Sequence, residues 1–279
     1  MRKISVNIIS NTVRYLCVKA NISLRSDVLR VLKMAQKLEK NKRAKNIISI
    51  LLENARIAQK EGIAICQDTG MAEVFVELGQ GVNITGGDLS GAINRGIDEG
   101  YRKGFLRNSI VGDPIKRGTS CYSPGVIHYD IVRGAKIKIT VLPKGFGCEN
   151  KGKVKMFRPT AQLPEIKKFI IDTVKEAGPD ACPPYFVGVG IGGTQDEACV
   201  LAKKALLRKV TGSPGRQLTG KIEKELLKEL NKLNIGPMGL GGTSTVLGIK
   251  VLAYPTHIAG LPVCVNISCH ALRSATVII

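Results

Sequence analysis

Tryptophan is absent from this chain, and aromatic residues of all kinds make up only 4% of its 279 residues. So few rings leave little on which nucleic-acid bases could stack. No run of eighteen apolar residues occurs, which excludes a membrane-spanning helix. The opening Met1-Arg2-Lys3-Ile4-Ser5-Val6-Asn7 lacks the apolar segment of a signal peptide. Acidic residues are scarce: 22 Asp and Glu face 42 Lys and Arg, a formal charge of +20. Clustered positive charge binds nucleic acid by releasing counterions from phosphates. Here, however, Lys37, Lys40, Lys42, Arg43 and Lys45 fall on helical stretches and read as solvated helix surface. Their field would also steer small dianions or an acidic protein partner. The eight cysteines, at 17, 66, 121, 148, 182, 199, 264 and 269, include no C-x-x-C pair. That rules out a zinc ribbon and fits poorly with a small disulfide scaffold. Free or metal-bound thiols in a reducing cytoplasm are the natural expectation.

Apolar residues make up 44% of the chain, enough to bury the core of one or two domains. Ser26-Asp27 offers an N-cap before Val28, Leu32 and Ala35, and a second helical stripe runs through Ile47, Leu51, Ala55 and Ala58. Gly87-Asp88 opens a helix carrying Leu89, Ala92, Ile93 and Ile97. The period then changes. Residues 126–132 and 136–142 are strand-like and joined through Arg133-Gly134-Ala135, which predicts a hairpin. Pro164 and Gly178 bracket a helix with Ile166, Ile170, Thr173, Val174 and Ala177 inward. A strand over 185–190, a helix over 196–210, a break at Ser213-Pro214-Gly215, and a helix carrying Ile222, Leu226, Leu230 and Leu233 follow. Strands near 246–253 and 261–267 complete the pattern. The expected fold is mixed α/β in one catalytic domain spanning 1–279. Its mainly helical lobe covers about residues 1–110 and its α/β lobe 111–279.

Cys66-Gln67-Asp68-Thr69-Gly70 places a thiol, a carboxamide, a carboxylate and a hydroxyl in four consecutive positions. Each would need its own hydrogen-bond partner in a packing role, so the segment points to chemistry. The structural alternative is a small buried cysteine beside a polar turn. A second signal, Gly188-Val189-Gly190-Ile191-Gly192-Gly193, satisfies G-x-G-x-x-G between a strand and a helix. Dinucleotide binding also requires an acidic residue about twenty positions on. After Glu197 none appears until Glu223. The run therefore argues for bare backbone approaching an anion, not for a nicotinamide-dependent dehydrogenase. Cys66, Cys182 before Pro183-Pro184, and Cys269 before His270 stand in polar or glycine- and proline-rich settings, with Cys121 and Cys148 in loops. Their spacing forms no local metal motif.

Several stretches share one pattern: Cys66–Gly70; Pro143-Lys144-Gly145-Phe146-Gly147 with Glu149-Asn150; and Cys182-Pro183-Pro184 with Gly188–Thr194. Ile235–Gly242, and Tyr254–Pro262 with Cys269-His270, continue it. In this order, from roughly residue 20 to the end, they resemble the α subunit, or N-terminal domain, of class I iron–sulfur fumarate hydratases and L-tartrate dehydratases. The resemblance implies a [4Fe-4S] cluster held by three thiolates, at Cys66, Cys182 and Cys269, between the two lobes. One iron left open would bind and polarise a hydroxy acid. It implies Asp68 and His257 as catalytic residues, and Gln67, Asp68, Arg107, Gly145, Gly147 and His257 as contacts to a C4 dicarboxylate. Backbone of the Gly188–Gly193 run would approach the substrate or the cluster. Fumarate and malate are expected over tartrate, because no residue reads a second hydroxyl. A separate β subunit in an α2β2 assembly is implied, with no nucleic acid or membrane partner. The chain departs from the family pattern at Gly118-Thr119-Ser120-Cys121-Tyr122, at Cys148 in place of a common serine, and at Ser274 after Arg273. Cys121 or Cys148 as a metal ligand is disfavoured.

Overall fold

A computed structural model describes residues 1–212 and 217–279. The break expected at Ser213-Pro214-Gly215 lies outside the described residues. The architecture is mixed α/β, and no helix among the described residues is long and apolar enough to cross a membrane. Two compact units interleave in sequence. Unit 1 comprises Met1–Arg25, Asn54–Phe146 and Arg273–Ile279, and unit 2 comprises Ser26–Glu53 and Gly147–Leu272. The helices of the first 110 residues are thus shared between the two.

Unit 1 is built on a four-stranded sheet in the order β12-β7-β2-β6. β2 (Met71–Gly79) runs parallel to β6 (Val126–Val132) and antiparallel to β7 (Ile137–Lys144), and β12 (Ala275–Ile278) lies antiparallel to β7. The expected hairpin between residues 126–132 and 136–142 does not form, because β2 sits between those two strands. The apolar run Val74-Phe75-Val76 belongs at the sheet centre, and the following turn packs onto the β6–β7 connection. There Gly79 N–H donates to Lys136 O (2.9 Å) and Gly81 N–H to Gly134 O (2.7 Å).

On this sheet lie α1 (Val6–Ile22) and α4 (Leu89–Lys103), which bury Ile9, Val13, Leu16, Ile93 and Ile97 against Val74, Val76, Ile139 and Val141. Asp88 caps α4 as expected. Close approach of the two helices depends on glycine: a Cβ at Gly96 would lie 2.5 Å from Ser10 O. β1 (Arg2–Ser5) pairs with β3 (Val82–Thr85), and β4 (Ile110–Asp113) with β5 (Arg117–Cys121).

Unit 2 holds a second sheet, β10-β9-β11-β8. β9 (Tyr185–Gly193) runs parallel to β10 (Val246–Thr256) and antiparallel to β11 (Leu261–Ser268), which pairs in turn with β8 (Lys153–Phe157). One face carries α6 (Leu163–Ala177) and α8 (Gln217–Asn231) over Val187, Val189, Val251 and Val265. The five inward residues expected on α6 are all buried. The other face carries α7 (Gln195–Leu207), with Ala198 and Ala202 over Cys264. α2 (Ser26–Leu38) and the first part of α3 (Lys42–Glu61) belong to this unit, as does most of the single turn α5 (Phe146–Glu149). Lys37 on α2 and Lys42, Arg43 and Lys45 on α3 are exposed, as a solvated helix surface requires, and Lys40 is exposed in the connection between the two helices.

Candidate active site

In unit 1 the segment from Cys66 to Gly70 is irregular backbone leading into β2, and Asp68, Thr69 and Gly70 are held by hydrogen bonds. Asp68 Oδ1 accepts the Gly70 N–H at 3.0 Å, and Oδ2 accepts the Phe146 N–H at 2.8 Å. The Tyr101 hydroxyl lies 3.1 Å from both the Thr69 and Gly70 carbonyls and donates to them. Arg273 Nη2 donates to the Asp68 carbonyl, and the Arg107 N–H donates to Thr69 Oγ1 at 3.0 Å. Gly70 is required by its φ of +73° and by Lys144, whose backbone carbon would stand 2.7 Å from an added Cβ. The loop's carbonyls therefore face the interior while Gln67 remains exposed and Cys66 and Asp68 half-buried. Burial drives the Tyr101 hydroxyl well above the ordinary tyrosine range, so it stays a neutral donor. Arg107 is exposed, with its backbone fastened beside the loop. Gly145 lies against the Asp68 carboxylate, 3.1 Å from Oδ2 to an added Cβ, whereas Gly147 faces open space.

Unit 2 brings two further cysteines together. The carbonyl of Cys182 accepts the His270 N–H at 3.4 Å and lies 3.2 Å from His270 Nδ1, which places Cys269 beside the Cys182 loop. Cys182 has φ of +57°, a strained conformation for any residue but glycine. Its surroundings hold it there. The Cys148 thiol donates to Ala181 O at 3.2 Å, and the Met238 N–H donates to Pro183 O at 2.7 Å. Cys148 is buried, with its thiol engaged in this contact. The loop carrying Met238 is anchored by Glu39, whose Oε2 accepts from both the N–H and the hydroxyl of Thr243 and of Ser244. His257 is not brought to Cys182 and Cys269. It follows β10 and precedes β11, whereas Cys269 follows β11, so the strand's eight residues separate them by roughly 25 Å.

The Gly188–Gly193 run, expected to admit an anion, serves packing instead. A Cβ at Gly188 would lie 2.0 Å from Ala202 O, and one at Gly190 2.0 Å from Ala198 O, so these glycines let α7 rest on β9. Gly192, at φ +89°, is pressed as closely against Tyr254 O.

Among the described residues, no group of three or more His, Cys, Asp and Glu side chains is gathered as a single metal ion would need. Ligands of a cluster bind separate irons and stand farther apart than those of one ion, so the relevant test is the donor set. Cys66, Cys182 and Cys269 are half-buried, open enough to bind and sheltered enough to retain an inorganic group, and Cys199, equally half-buried, packs on α7 against Ala198, Ala202 and Cys264. Cys17 and Cys264 are buried, and burial raises both thiols, Cys17 to about 12. Cys121 bonds its own hairpin. One orphaned group lies at the unit 1 loop: Arg273 Nη1 is enclosed and has no hydrogen-bond partner. The residues thus suit an anionic iron–sulfur group. Sequence reasoning did not single out Tyr101, Arg273 or Glu39. Tyr101 alone carried a signal, a hydroxyl placed on the inward stripe of α4 four residues after Ile97.

Comparison with known proteins gives consistent results. The sequence model of the family described as fumarate hydratase (Fumerase) matches residues 10–278. The chain is 38% identical over 276 residues to a putative L(+)-tartrate dehydratase subunit alpha of Methanocaldococcus jannaschii, covering 96% of each. It is 30% identical over 280 residues to the L(+)-tartrate dehydratase subunit alpha of Escherichia coli O157:H7, covering 99% of this chain and 92% of that one.

Proposed function

This chain belongs to the fumarate hydratase family, whose chemistry is that of a hydro-lyase, and from that premise we propose that it is the α subunit of an enzyme reversibly hydrating fumarate to malate. The observation that carries this reading is the Cys66–Gly70 loop, clamped from the interior while its thiol, carboxamide and carboxylate stand half-buried or exposed. Cys66, Cys182 and Cys269 are the thiolates we assign to a [4Fe-4S] cluster. When bound, such a cluster supplies an iron without a protein ligand, a Lewis acid that polarises the C–O bond.

The chain's own residues do the rest. Arg107 offers a planar fork to one carboxylate of the diacid. Gln67 offers a donor and an acceptor to the substrate hydroxyl. Asp68 takes the proton from the carbon adjacent to the C–O bond in dehydration and returns it in hydration. Each of its oxygens accepts one backbone N–H, which orients the carboxylate and leaves lone pairs for that proton. Gly145 keeps backbone close to Asp68, and Gly147 leaves room for a ligand. For His257 to contact a carboxylate held at Cys182 and Cys269, a second copy of the chain must supply it. A separate β subunit, in an α2β2 assembly, provides the remaining substrate contacts, and the name "subunit alpha" of both relatives supports this. Reduced thiols suit a cytoplasmic setting.

Dehydration of L-tartrate is the second reading, favoured by the same names. The two differ by one hydroxyl on a C4 diacid. The test is anaerobic assembly of the chain with its β subunit, iron and sulfide, followed by assay on fumarate, malate and both tartrates. We expect an iron- and sulfide-bearing protein that hydrates fumarate and loses its iron on Cys66→Ser. Full activity without iron, or an iron-loaded protein inert toward every C4 diacid, would end the reading.

A further inference from the structure

Behind the Cys66–Gly70 loop stands a guanidinium with one of its two terminal nitrogens unpartnered. Arg273 is 4% exposed. Nη2 is engaged by the Asp68 carbonyl, while Nη1 is enclosed without any partner. A buried cationic N–H left this way is costly, and native folds supply an acceptor for it. The polar groups of the loop are directed at other partners. The Asp68 carboxylate takes the N–H groups of Gly70 and Phe146. The Tyr101 hydroxyl, close enough to feel the Arg273 charge, donates to Thr69 and Gly70. No carboxylate pairs with Arg273 among the described residues.

We propose that Arg273 holds an anion at this loop, with Nη1 donating to a carboxylate of the bound diacid or to an inorganic sulfide of the cluster. The two are one chemistry, a charge-assisted bond to a negative acceptor. The proposal rests on the hydro-lyase reading and adds to it a positioning residue. Because the guanidinium is planar, fixing Nη2 on the Asp68 carbonyl also fixes the direction in which Nη1 donates. The anion and the Asp68 backbone are then tied to one rigid group. A lysine keeps the charge and cannot hold both partners in that geometry.

The iron-loaded protein, assembled with its β subunit, is compared as wild type, Arg273→Met and Arg273→Lys. Succinate, which cannot be dehydrated, is titrated against the cluster spectrum, and the cluster midpoint potential is measured without it. If Nη1 serves a carboxylate, succinate binds about tenfold more weakly to Arg273→Met, partly recovers in Arg273→Lys, and leaves the potential unmoved. If it serves a sulfide, the potential falls in Arg273→Met while succinate binding holds, since hydrogen bonds to cluster sulfur raise the potential. Both quantities at wild-type values, with only melting lowered, overturn the proposal. Should Arg273→Met not fold, Arg273→Lys decides, with smaller shifts of the same sign expected and wild-type behaviour fatal. Should the wild type take up no iron, the hydro-lyase reading fails separately. Thermal stabilisation of the iron-free protein by succinate then decides: its loss in Arg273→Met supports the proposal, and equal stabilisation overturns it.

Discussion

Unit 1 and unit 2 each contain a glycine-bearing stretch that signals a ligand, and the protein uses them in opposite ways. In unit 2 the space a Cβ would fill at Gly188, Gly190 and Gly192 is already occupied by the carbonyls of Ala202, Ala198 and Tyr254, each 2.0 Å away. In unit 1 the loop ending at Gly70 is clamped from its interior side by Tyr101 and Arg273 with its thiol, carboxamide and carboxylate left half-buried or exposed, and at Gly147, where unit 2 resumes, an added Cβ would meet nothing. A glycine motif next to a helix therefore reports a close approach without saying what approaches. That depends on which backbone the fold lays over it. Where the neighbour is a helix, the glycines are a packing device. Where it is open space, they remain available to a ligand.

The sharpest way to break this contrast is Gly190→Ala. The new methyl group meets backbone that cannot move without shifting α7, so we expect a loss of about 4 kcal/mol or failure to fold. Denaturant unfolding measures it, and a tolerated alanine would refute the packing role.

Glu39→Gln comes next, at about 2–3 kcal/mol, since one carboxylate oxygen serves four donors. Burial by itself would raise this carboxyl. The hydrogen bonds from Asn41, Thr243 and Ser244 outweigh burial and hold it below its ordinary value of 4.5. Its contribution is then fully present above pH 4.5 and lost as pH falls through the lower folded value. Melting temperature followed against pH should show a shallower acid limb in the variant.

Tyr101→Phe strips a donor from two buried carbonyls and should cost about 1–2 kcal/mol. If succinate binding also weakens in the assembled protein, the clamp positions the loop; an unchanged affinity would make it structural alone. Gly147→Ala is the smallest, within about 0.5 kcal/mol, because nothing stands near the new methyl. Its value lies in binding: weaker succinate affinity at unchanged stability would mark Gly147 as a ligand-facing position.

Much of the fold was legible where the signal was local. Pro164 and Gly178 delimited α6, and the apolar spacing between them named its buried residues. Asp88 marked the start of α4. The failures were non-local. Residues 126–132 and 136–142 looked like a hairpin because a short glycine turn joins them, yet β2, some fifty residues earlier, lies between them. Leu233 continued a helical stripe beyond the end of α8 at Asn231. At the site, the Cys66–Gly70 segment stood out by its chemistry. Arg273 and Tyr101 did not, because each acts on carbonyls far away in sequence.

The periodic elements, the reactive loop and the family were legible in the residues alone, because each is written in neighbouring residues. Folding in three dimensions set which strand enters between two others, which glycines lie beneath a helix, and which buried arginine keeps a donor unmatched. Those outcomes rest on contacts between distant segments, where burial and hydrogen-bond satisfaction are settled jointly by groups that no local pattern connects.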